Sequence, residues 1–407
     1  MLLQHVARRG SALLCLVLVS PAVAAPPDVH GKLDRSDEFR VLRVWGSPEE
    51  MGYAHGYLLG TEFVELLNSM VAATPPEERA RYDQQQAALC ASLVLPERFL
   101  TEVKAMLRGI TEAAGGTPTL EALNRPLKLE DLILHQAADA LRAFGCSGFT
   151  VWGKQAGDAG VITTRNFDYL SNRGMVEQQL LLVRQPAGRH QVALVTYPAL
   201  LIAFTGINDA GVCAFAHDGT GSRHTRPQGR YTPALLAMTD VLERSGPDNA
   251  HANAARALEG CVPYPFSYMV RVIAPRSPGQ DGSPVRVFRI DAAGLSENPV
   301  APGYCVTTNH YLTPDRQPVD AAGNWSLHRY DVLEARLDST QTPRAAWELM
   351  GQVADHWRTP TLHSLIVYPE RRRIDLGYAR WENERTVAAT ERPPITITFD
   401  RLFAPPR

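Results

Sequence analysis

The chain has 407 residues, enough for one large or two ordinary domains, and 45% of them are apolar against 21% charged. This balance is typical of a globular protein with a sizeable core, and it excludes a disordered, collagen-like or multi-span membrane protein. The 41 Lys and Arg residues nearly cancel the 43 Asp and Glu residues, and the net charge of -2 gives no general attraction to nucleic acid or anionic lipid.

The first 24 residues have the pattern of a secretory signal peptide. Arg8 and Arg9 precede an apolar stretch over 12–19, and small residues at 22–24 stand before a Pro-rich segment. The apolar stretch is shorter than the about 20 residues that a membrane-spanning helix needs. We therefore expect residues 1–24 to be removed, and the mature protein to be periplasmic or secreted without stable membrane insertion. The sequence leaves open whether export is Sec or twin-arginine dependent.

Five cysteines would remain after the signal peptide takes Cys15 with it: Cys90, Cys146, Cys213, Cys261 and Cys305. An odd number in an oxidising compartment indicates that one thiol is kept free. The other four either form two disulfides, in one of three pairings, or are buried as small apolar residues. We favour burial, because a core of this size needs no crosslinks. Neither CxxC nor HExxH spacing occurs, so the sequence predicts no metal site and no cofactor.

The mature chain up to Gly145 is predicted to be mostly helical. Pro48 suits the first turn of a helix, and the two acidic residues that follow it suit the positive end of the helix dipole. Apolar residues then recur at helical spacing, which predicts a helix over 48–73. Further helices are predicted over 96–114 and 120–143.

After Gly145 the pattern changes to short strands separated by Gly, Asn, Asp and Pro. Strands are predicted at 148–152, 160–165, 177–184, 191–196, 211–216, 268–274, 285–290, 362–368 and 373–378. Helices are predicted at 233–244, 249–258, 328–337 and 343–357. Strands grouped in hairpins, with helices in separate blocks, favour an α+β layered fold over a doubly wound parallel sheet.

The candidate chemistry lies where helix gives way to strand. Cys146 follows Gly145 at this junction, and Arg165 and Asp168 come one hairpin later. If strands 148–152 and 160–165 pair, Arg165 and Asp168 return beside Cys146. A neighbouring cation lowers the pKa of a thiol, and the thiolate is the nucleophile. Local chemistry alone leaves a second interpretation open, a packed cysteine near a surface ion pair.

The same stretch resembles the nucleophile region of the acyl-CoA:isopenicillin-N acyltransferase family, a branch of the N-terminal-nucleophile (Ntn) hydrolases. Members carry a Gly-Cys junction followed by a hairpin that ends in Asn-aromatic-Asp-aromatic, as at 166–169. Further segments resemble family motifs in the same order: 46–56, 206–212, Thr308-Asn309-His310, and Arg358 with Thr361-Leu362. The matches span about residues 45–380. The resemblance implies a four-layer αββα sandwich of two antiparallel sheets with a mostly helical N-terminal segment.

The resemblance further implies a precursor that cuts its own chain between Gly145 and Cys146. The products would be a small chain, 25–145, and a large catalytic chain, 146–407, that stay associated. Cleavage would free the α-amino group of Cys146, so that one residue supplies a thiol with an ordinary pKa of about 8.5 and an amine with one of about 7.7–8.0. The thiolate would attack the substrate carbonyl, the amine would protonate the leaving group, and a thioester acyl-enzyme would form.

Roles for other residues also follow from the resemblance. Asp168 would orient the Cys146 amine, and Asn309 would present its side-chain amide to the oxyanion of the tetrahedral intermediate. Arg358 would fix a substrate carboxylate or support the site.

Three residues mark departures or looser matches. Arg165 differs from the penicillin acyltransferases and instead resembles the Arg-x-x-Asp arrangement of bile salt hydrolases and acid ceramidase-like amidases. This favours an amidase. His217 and Asp218 follow the 206–212 hairpin, where related enzymes place a second oxyanion or substrate contact.

The sequence thus predicts an exported, self-processing cysteine amidohydrolase or acyltransferase. Its substrate would be a small N-acyl amide: an acylated amino acid, a β-lactam or a lipid amide. The alternative is a catalytically inactive relative that binds a small ligand or peptide in the same cleft. A serine hydrolase is disfavoured because the Gly-x-Ser-x-Gly motif is absent.

Overall fold

A computed structural model describes residues 28–36, 39–137, 144–219, 229–275, 282–319, 324–357 and 359–405. The predicted signal peptide and Arg358 lie outside these residues. Among the described residues, no helix combines the length and apolar character that crossing a bilayer requires.

A nine-stranded sheet, here called the large sheet, runs through most of the chain. Its strands, in spatial order, are Gly31–Arg35, Arg40–Gly46, Leu180–Pro186, Val192–Thr196, Thr205–Asn208, Cys213–Asp218, Tyr268–Ile273, Val285–Asp291 and Gly294–Asn298. Neighbouring strands are antiparallel, except that Arg40–Gly46 pairs in parallel with Leu180–Pro186.

A six-stranded antiparallel sheet, here called the small sheet, carries the predicted nucleophile. Its strands, in spatial order, are Tyr304–Thr307, Gly145–Trp152, Val161–Asp168, Thr361–Tyr368, Arg373–Tyr378 and Ile395–Thr398. Short two-stranded pairs join Thr119–Leu120 to Arg125–Pro126, Tyr311–Leu312 to Pro318–Val319, and Arg380–Glu382 to Arg385–Val387.

The α-helices of the described residues pack mainly on the outer faces of the two sheets, whereas Phe399–Leu402 contributes to the apolar layer between them. In chain order they are Pro48–Ala72, Pro76–Arg79, Tyr82–Ser92, Glu97–Ala113, Leu129–His135, Arg173–Glu177, Ala234–Arg244, Ala250–Glu259, Asn324–Glu334, Pro343–Gln352 and Phe399–Leu402.

The sheets pack face to face because successive side chains of a strand point to opposite faces. On the large sheet, Val183 faces the layer between the sheets, whereas Leu182 faces the N-terminal helices. On the small sheet, Leu365 faces the layer between the sheets and Ile366 faces the other group of helices. Helix, sheet, sheet and helix therefore form four layers. The predicted αββα sandwich is confirmed, except that the large sheet is mixed, not wholly antiparallel, because Arg40–Gly46 runs parallel to Leu180–Pro186.

The N-terminal segment differs from its prediction in two places. It contributes Gly31–Arg35 and Arg40–Gly46 to the large sheet, and neither strand was predicted. The helix predicted over 120–143 is wrong in its first half, where Thr119–Leu120 pairs with Arg125–Pro126 and the helix begins only at Leu129. Asn124 has a φ of 50°, and Pro126 lacks a backbone donor, so a helix cannot continue through this turn.

Helices Pro48–Ala72 and Glu97–Ala113 approach each other closely at glycines of the 46–56 motif. A Cβ atom on Gly52 would lie 2.1 Å from the carbonyl oxygen of Glu102, and one on Gly56 would lie 2.0 Å from that of Met106. Any larger residue would force the helices apart. The contact fixes the helix that carries Glu102 against the rest of the core.

Candidate active site

The Gly-Cys junction and the Arg-x-x-Asp segment lie on neighbouring strands of the small sheet. Gly145–Trp152 pairs antiparallel with Val161–Asp168, which places Gly145 opposite Asp168 and Cys146 opposite Phe167. A Cβ atom on Gly145 would lie 3.0 Å from both Cβ and Oδ2 of Asp168. The predicted hairpin is confirmed, and it holds the Asp168 carboxylate against the predicted cleavage point.

Cys146 is fully buried in the uncut chain. Its backbone N–H donates to Asn309 Oδ1 at 2.8 Å, and its thiol donates to the Ala216 carbonyl at 3.5 Å. Burial raises the pKa of the Cys146 thiol to about 12, while the cations of Arg165 and Arg329 act in the opposite direction. The thiol of the uncut chain is therefore protonated at neutral pH.

Asn309 bonds to the chain on both sides of the Gly145–Cys146 peptide bond. Its Oδ1 accepts from Cys146 N, and its Nδ2 donates to the Phe144 carbonyl at 3.2 Å. Nδ2 also donates to the Asp218 carbonyl at 2.8 Å. The side-chain amide therefore spans the predicted cleavage point.

Asp168 is buried and held by two partners. Oδ2 accepts from Arg329 Nη1 at 2.7 Å, and Oδ1 accepts from the Thr361 hydroxyl at 2.6 Å. Burial raises the pKa of Asp168, and Arg329 opposes that shift. In the uncut chain the Cys146 N–H is bonded to Asn309 and not to Asp168. Asp168 therefore affects the position of Cys146 through its contact with Gly145 and its hydrogen bond to Arg329.

Arg329 is a site residue that the sequence analysis missed. Its guanidinium is buried and forks between Asp168 Oδ2 and Asn309 Oδ1, each at 2.7 Å. One turn earlier on helix Asn324–Glu334, the Ser326 hydroxyl accepts from Asn309 N at 2.9 Å. In the sequence, the spacing of Ser326 and Arg329 could have indicated this role, because two polar residues three positions apart lie on one face of a helix. This helix therefore fixes both Asn309 and Asp168.

Arg165 is buried beside the thiol. Its Nε donates to the Thr205 hydroxyl at 3.3 Å, and that hydroxyl is 2.9 Å from His363 Nε2. Its two terminal nitrogens meet no hydrogen-bond acceptor among the described residues. Burial lowers the pKa of Arg165, and the Cys146 thiol is the group that most opposes this shift. Buried N–H groups without acceptors are costly, so a negative charge at this place would be stabilised.

His217 and Asp218 end the strand Cys213–Asp218 beside the junction. Asp218 Oδ2 accepts from Phe144 N at 3.2 Å. Burial, reinforced by the charges of Arg165 and other arginines, lowers the pKa of His217 well below its ordinary value, so the ring is neutral at pH 7. The structure thus brings Asp218 to the strand that carries Cys146, and it places His217 among the site's cations.

The five cysteines of the described chain are all free thiols. Cys213, Cys261 and Cys305 are buried, as predicted, whereas Cys90 is half-buried. Within the described ranges, no group of three or more His, Cys, Asp or Glu residues is arranged to hold a metal ion.

Several solved structures are similar to parts of this chain. An N-acylethanolamine-hydrolyzing acid amidase (NAAA) ortholog of Caenorhabditis elegans is 14% identical, with a TM-score of 0.40 over 55% of this chain and 93% of that chain. A mutant conjugated bile acid hydrolase from Clostridium perfringens is 10% identical, with a TM-score of 0.37 over 62% and 96%. Penicillin V acylase from Agrobacterium tumefaciens is 12% identical, with a TM-score of 0.35 over 57% and 83%.

No protein-family model matches the chain, and no curated protein matches it. The specific resemblance to isopenicillin-N acyltransferases is therefore not confirmed. Because the TM-scores of these structures lie below 0.5, any assignment of activity depends on the chain's own site residues.

Proposed function

We propose that the protein is a self-processing cysteine amidohydrolase or acyltransferase, which cuts its own chain between Gly145 and Cys146 and then acts on an N-acyl amide. The observation that carries the proposal is a chain of hydrogen bonds. It runs from Cys146 N through the Asn309 amide and the Arg329 guanidinium to Asp168. The Asp168 carboxylate in turn lies against Gly145. Nucleophile, amide donor and carboxylate are thereby fixed around one peptide bond.

In the proposed self-cleavage, Cys146 Sγ attacks the carbonyl carbon of Gly145. The Gly145–Cys146 C–N bond breaks, the thiol proton passes to the Cys146 nitrogen, and a thioester links Gly145 to Cys146 Sγ. Water then hydrolyses this thioester, which releases the Gly145 carboxylate and restores the thiol. The bonds from Asn309 to Phe144 O and Cys146 N support this step because they restrain the chain on both sides of the bond that breaks.

In the proposed turnover, the new α-amino group of Cys146 takes the proton of its own thiol. The thiolate attacks the substrate carbonyl, and the resulting ammonium protonates the leaving amine. Departure of Phe144 would free Asn309 Nδ2 as a donor to the oxyanion, and the terminal N–H groups of Arg165 lack acceptors among the described residues. Water, or a second amine, would then take the acyl group from Cys146.

We propose in addition that residues 1–24 are removed on export and that the two fragments stay together. Support for association comes from a buried ion pair between Glu102 of the small fragment and Arg184 of the large one. Glu102 Oε2 accepts from Arg184 Nη2 at 2.9 Å, and both side chains are almost fully shielded from solvent. Such a pair holds its partners strongly, because separating them leaves an uncompensated charge.

Processing is tested by comparing the wild-type protein with Cys146→Ala and with the control Cys213→Ala, a buried thiol outside the site. Wild type and control should each give two fragments on denaturing electrophoresis, and the larger fragment should begin at Cys146. Cys146→Ala should give one uncut chain. Active wild-type protein with Gly145 and Cys146 still joined would overturn the proposal.

Activity is tested on the processed protein with N-acylethanolamines, N-acyl amino acids, glycine-conjugated bile acids and penicillin V. Release of free amine from at least one class, absent in Cys146→Ala, is expected. Cleavage of the chain without turnover of any amide would favour the alternative, an inactive relative that binds a ligand in the same cleft.

A further inference from the structure

A cavity of about 400 Å3 lies between helices of the N-terminal segment and the loop that follows Asp168. Helices Pro48–Ala72, Tyr82–Ser92 and Leu129–His135 form one side, and residues 169–175 form the other. Apolar side chains dominate its wall, among them Leu67, Met70, Val71, Leu89, Leu134 and Met175. Pockets of this size and character are typical of small-molecule sites.

The cavity lies one aromatic layer away from the nucleophile. Tyr169, which lines the cavity, directly follows Asp168, and its ring stacks on that of Phe167 with centroids 6.0 Å apart. Phe167 is the cross-strand neighbour of Cys146. At the cavity wall, Leu170 is among the most exposed large apolar residues of the described chain, with 45% of its surface accessible to solvent. The cavity therefore opens to solvent at Leu170, and the stacked rings of Tyr169 and Phe167 separate it from Cys146.

Several polar side chains on the cavity wall are bonded within the protein. Their partners are Arg125 and Gln86 for Asp131, the Pro198 carbonyl for His135, Thr386 for Ser171, and the Met175 N–H for Asn172. Burial lowers the pKa of His135 to about 4, so this ring carries no charge at pH 7. These groups are thus already engaged, and the wall favours hydrocarbon over a charged or strongly polar ligand.

We propose that this cavity binds the hydrocarbon chain of the acyl group, which makes long-chain lipid amides the substrate class of the enzyme. The inference rests on the proposed function and selects among its substrates, against β-lactams and short acylated amino acids. Since a cavity of about 150 Å3 accepts benzene, a cavity of about 400 Å3 has room for a chain of about sixteen carbons. The walls come from both fragments, so the small fragment takes part in binding.

Binding is measured on the uncut Cys146→Ala chain, which needs neither processing nor turnover. The probe is an uncharged dodecanamide that carries a nitrobenzofurazan label at its far end, and it is displaced by unlabelled amides of four to sixteen carbons. Affinity should rise about fourfold per methylene until the cavity is full, as expected for burial of a methylene group. Equal affinity for butanamide and hexadecanamide would overturn the proposal.

Two variants in the same background locate the site. Met70→Trp fills the cavity and should weaken probe binding at least tenfold. Leu107→Trp, an equally half-buried position on a helix outside the cavity, should bind the probe as the parent does. Unchanged binding by Met70→Trp, with a folded circular dichroism spectrum, would place the probe elsewhere and overturn the proposal.

The processed enzyme gives the second readout, with coumarin amides of butanoic and hexadecanoic acid as substrates. Met70→Trp should lower kcat/KM for the long amide at least tenfold more than for the short one. If neither amide is hydrolysed while length-dependent probe binding persists, the proposed catalytic function fails and the lipid site stands. If short amides are hydrolysed and no probe binds, the lipid site fails and the catalytic function stands.

Discussion

Because Gly145 has no side chain, the Asp168 carboxylate can lie close to it. The residue lies opposite Asp168 on the neighbouring strand, and the space that its side chain would occupy is filled by the carboxylate. Asp168 is at the same time held by Arg329 and Thr361, so it cannot yield without breaking a bond. The presence of glycine at the Gly-Cys junction thus has a steric explanation that does not depend on any resemblance.

Gly145→Ala is expected to slow self-cleavage by about tenfold, because a Cβ there, 3.0 Å from Asp168, would shift the carboxylate by a few tenths of an ångström and small displacements of a positioned group lower reaction rates. The measurement is the fraction of uncut chain over time after expression is stopped. Gly246→Ala serves as the control, since among the described residues no heavy atom other than those of the glycine and its chain neighbours lies within 4 Å of a Cβ placed there. Equal cleavage rates for the two variants would show that the approach of Asp168 to Gly145 is not needed.

At the level of elements, helix Asn324–Glu334 organises the site although it carries none of the residues singled out from the sequence. It supplies the Ser326 hydroxyl to Asn309 N and the Arg329 guanidinium to Asn309 and Asp168. The planar fork of an arginine can meet two acceptors at once, which a lysine cannot do with the same geometry. The charge and the shape of Arg329 therefore have separable effects.

Arg329→Met is expected to lower kcat/KM about a hundredfold and to move the pH profile of Cys146 alkylation to higher pH. The cation of Arg329 lowers the thiol pKa, so its loss leaves less thiolate at any given pH. Arg329→Lys should restore most of the pH profile but little of the activity. The profile is read from iodoacetamide labelling of Cys146 between pH 6 and 10.

Arg344, which forms an exposed ion pair with Glu348, provides the control. Arg344→Met should change neither kcat/KM nor the pH profile of alkylation. An unshifted profile in Arg329→Met would mean that this helix acts on the site only through packing.

At the scale of the whole molecule, buried charges join the two fragments that cleavage would create. Arg184, on the large sheet, binds Glu102 of helix Glu97–Ala113 and, through Nε at 3.0 Å, Glu243 of helix Ala234–Arg244. All three side chains are buried. Glycines of helix Pro48–Ala72 hold the Glu102 helix in place. The small fragment is thus tied to the core by charge as well as by apolar packing.

Glu102→Gln is expected to lower the unfolding free energy by about 3–5 kcal/mol, since it leaves Arg184 short of a buried counter-charge. Urea titration of uncut Cys146→Ala measures the loss directly. In processed protein, gel filtration should show the fragments separating at lower urea. Lys104→Gln, on the exposed surface in the middle of the same helix, is the control and should leave both midpoints unchanged. Unchanged midpoints in Glu102→Gln would show that the Glu102–Arg184 ion pair does not hold the two fragments together.

The buried histidine His55 makes the fold sensitive to acid. Its Nε2 accepts from Ala199 N at 2.9 Å, and burial, with Arg184 nearby, lowers the pKa of His55 to about 3. Between this value and the ordinary pKa of about 6.5, the unfolded chain binds a proton that the folded chain does not. The contribution of His55 to stability is therefore fully present above the ordinary pKa of about 6.5 and is lost progressively as the pH falls from there toward 3.

His55→Gln should reduce the slope of unfolding free energy against pH, between pH 6 and 4, by up to about 1.4 kcal/mol per pH unit. Urea midpoints of uncut Cys146→Ala at several pH values measure that slope. The exposed His328 is the matched control, and His328→Gln should keep the parental slope. An unchanged slope in His55→Gln would assign the acid sensitivity to other groups.

Much of the secondary structure was predictable because it depends on short-range pattern. The strand predicted at 268–274 is Tyr268–Ile273, and the helix predicted at 48–73 is Pro48–Ala72. The strand Arg40–Gly46 escaped prediction although it forms a hairpin with Gly31–Arg35, because three of the five residues of Gly31–Arg35 are charged and no apolar alternation marks that strand. Its other partner, Leu180–Pro186, is far away in the chain and parallel to it.

The sequence by itself determined the Gly145–Cys146 junction and the return of Asp168 beside it, because strand-like runs on either side of the Gly-containing connection 153–160 specify a hairpin. Only the tertiary structure decided that Arg329 joins Asp168 to Asn309, that the thiol is buried, and that an apolar cavity adjoins the site. The physical reason is that desolvation, charge contacts and cavity shape depend on atoms distant in the chain. The positions of those atoms follow from the packing of the four layers, which cannot be predicted from a local sequence pattern.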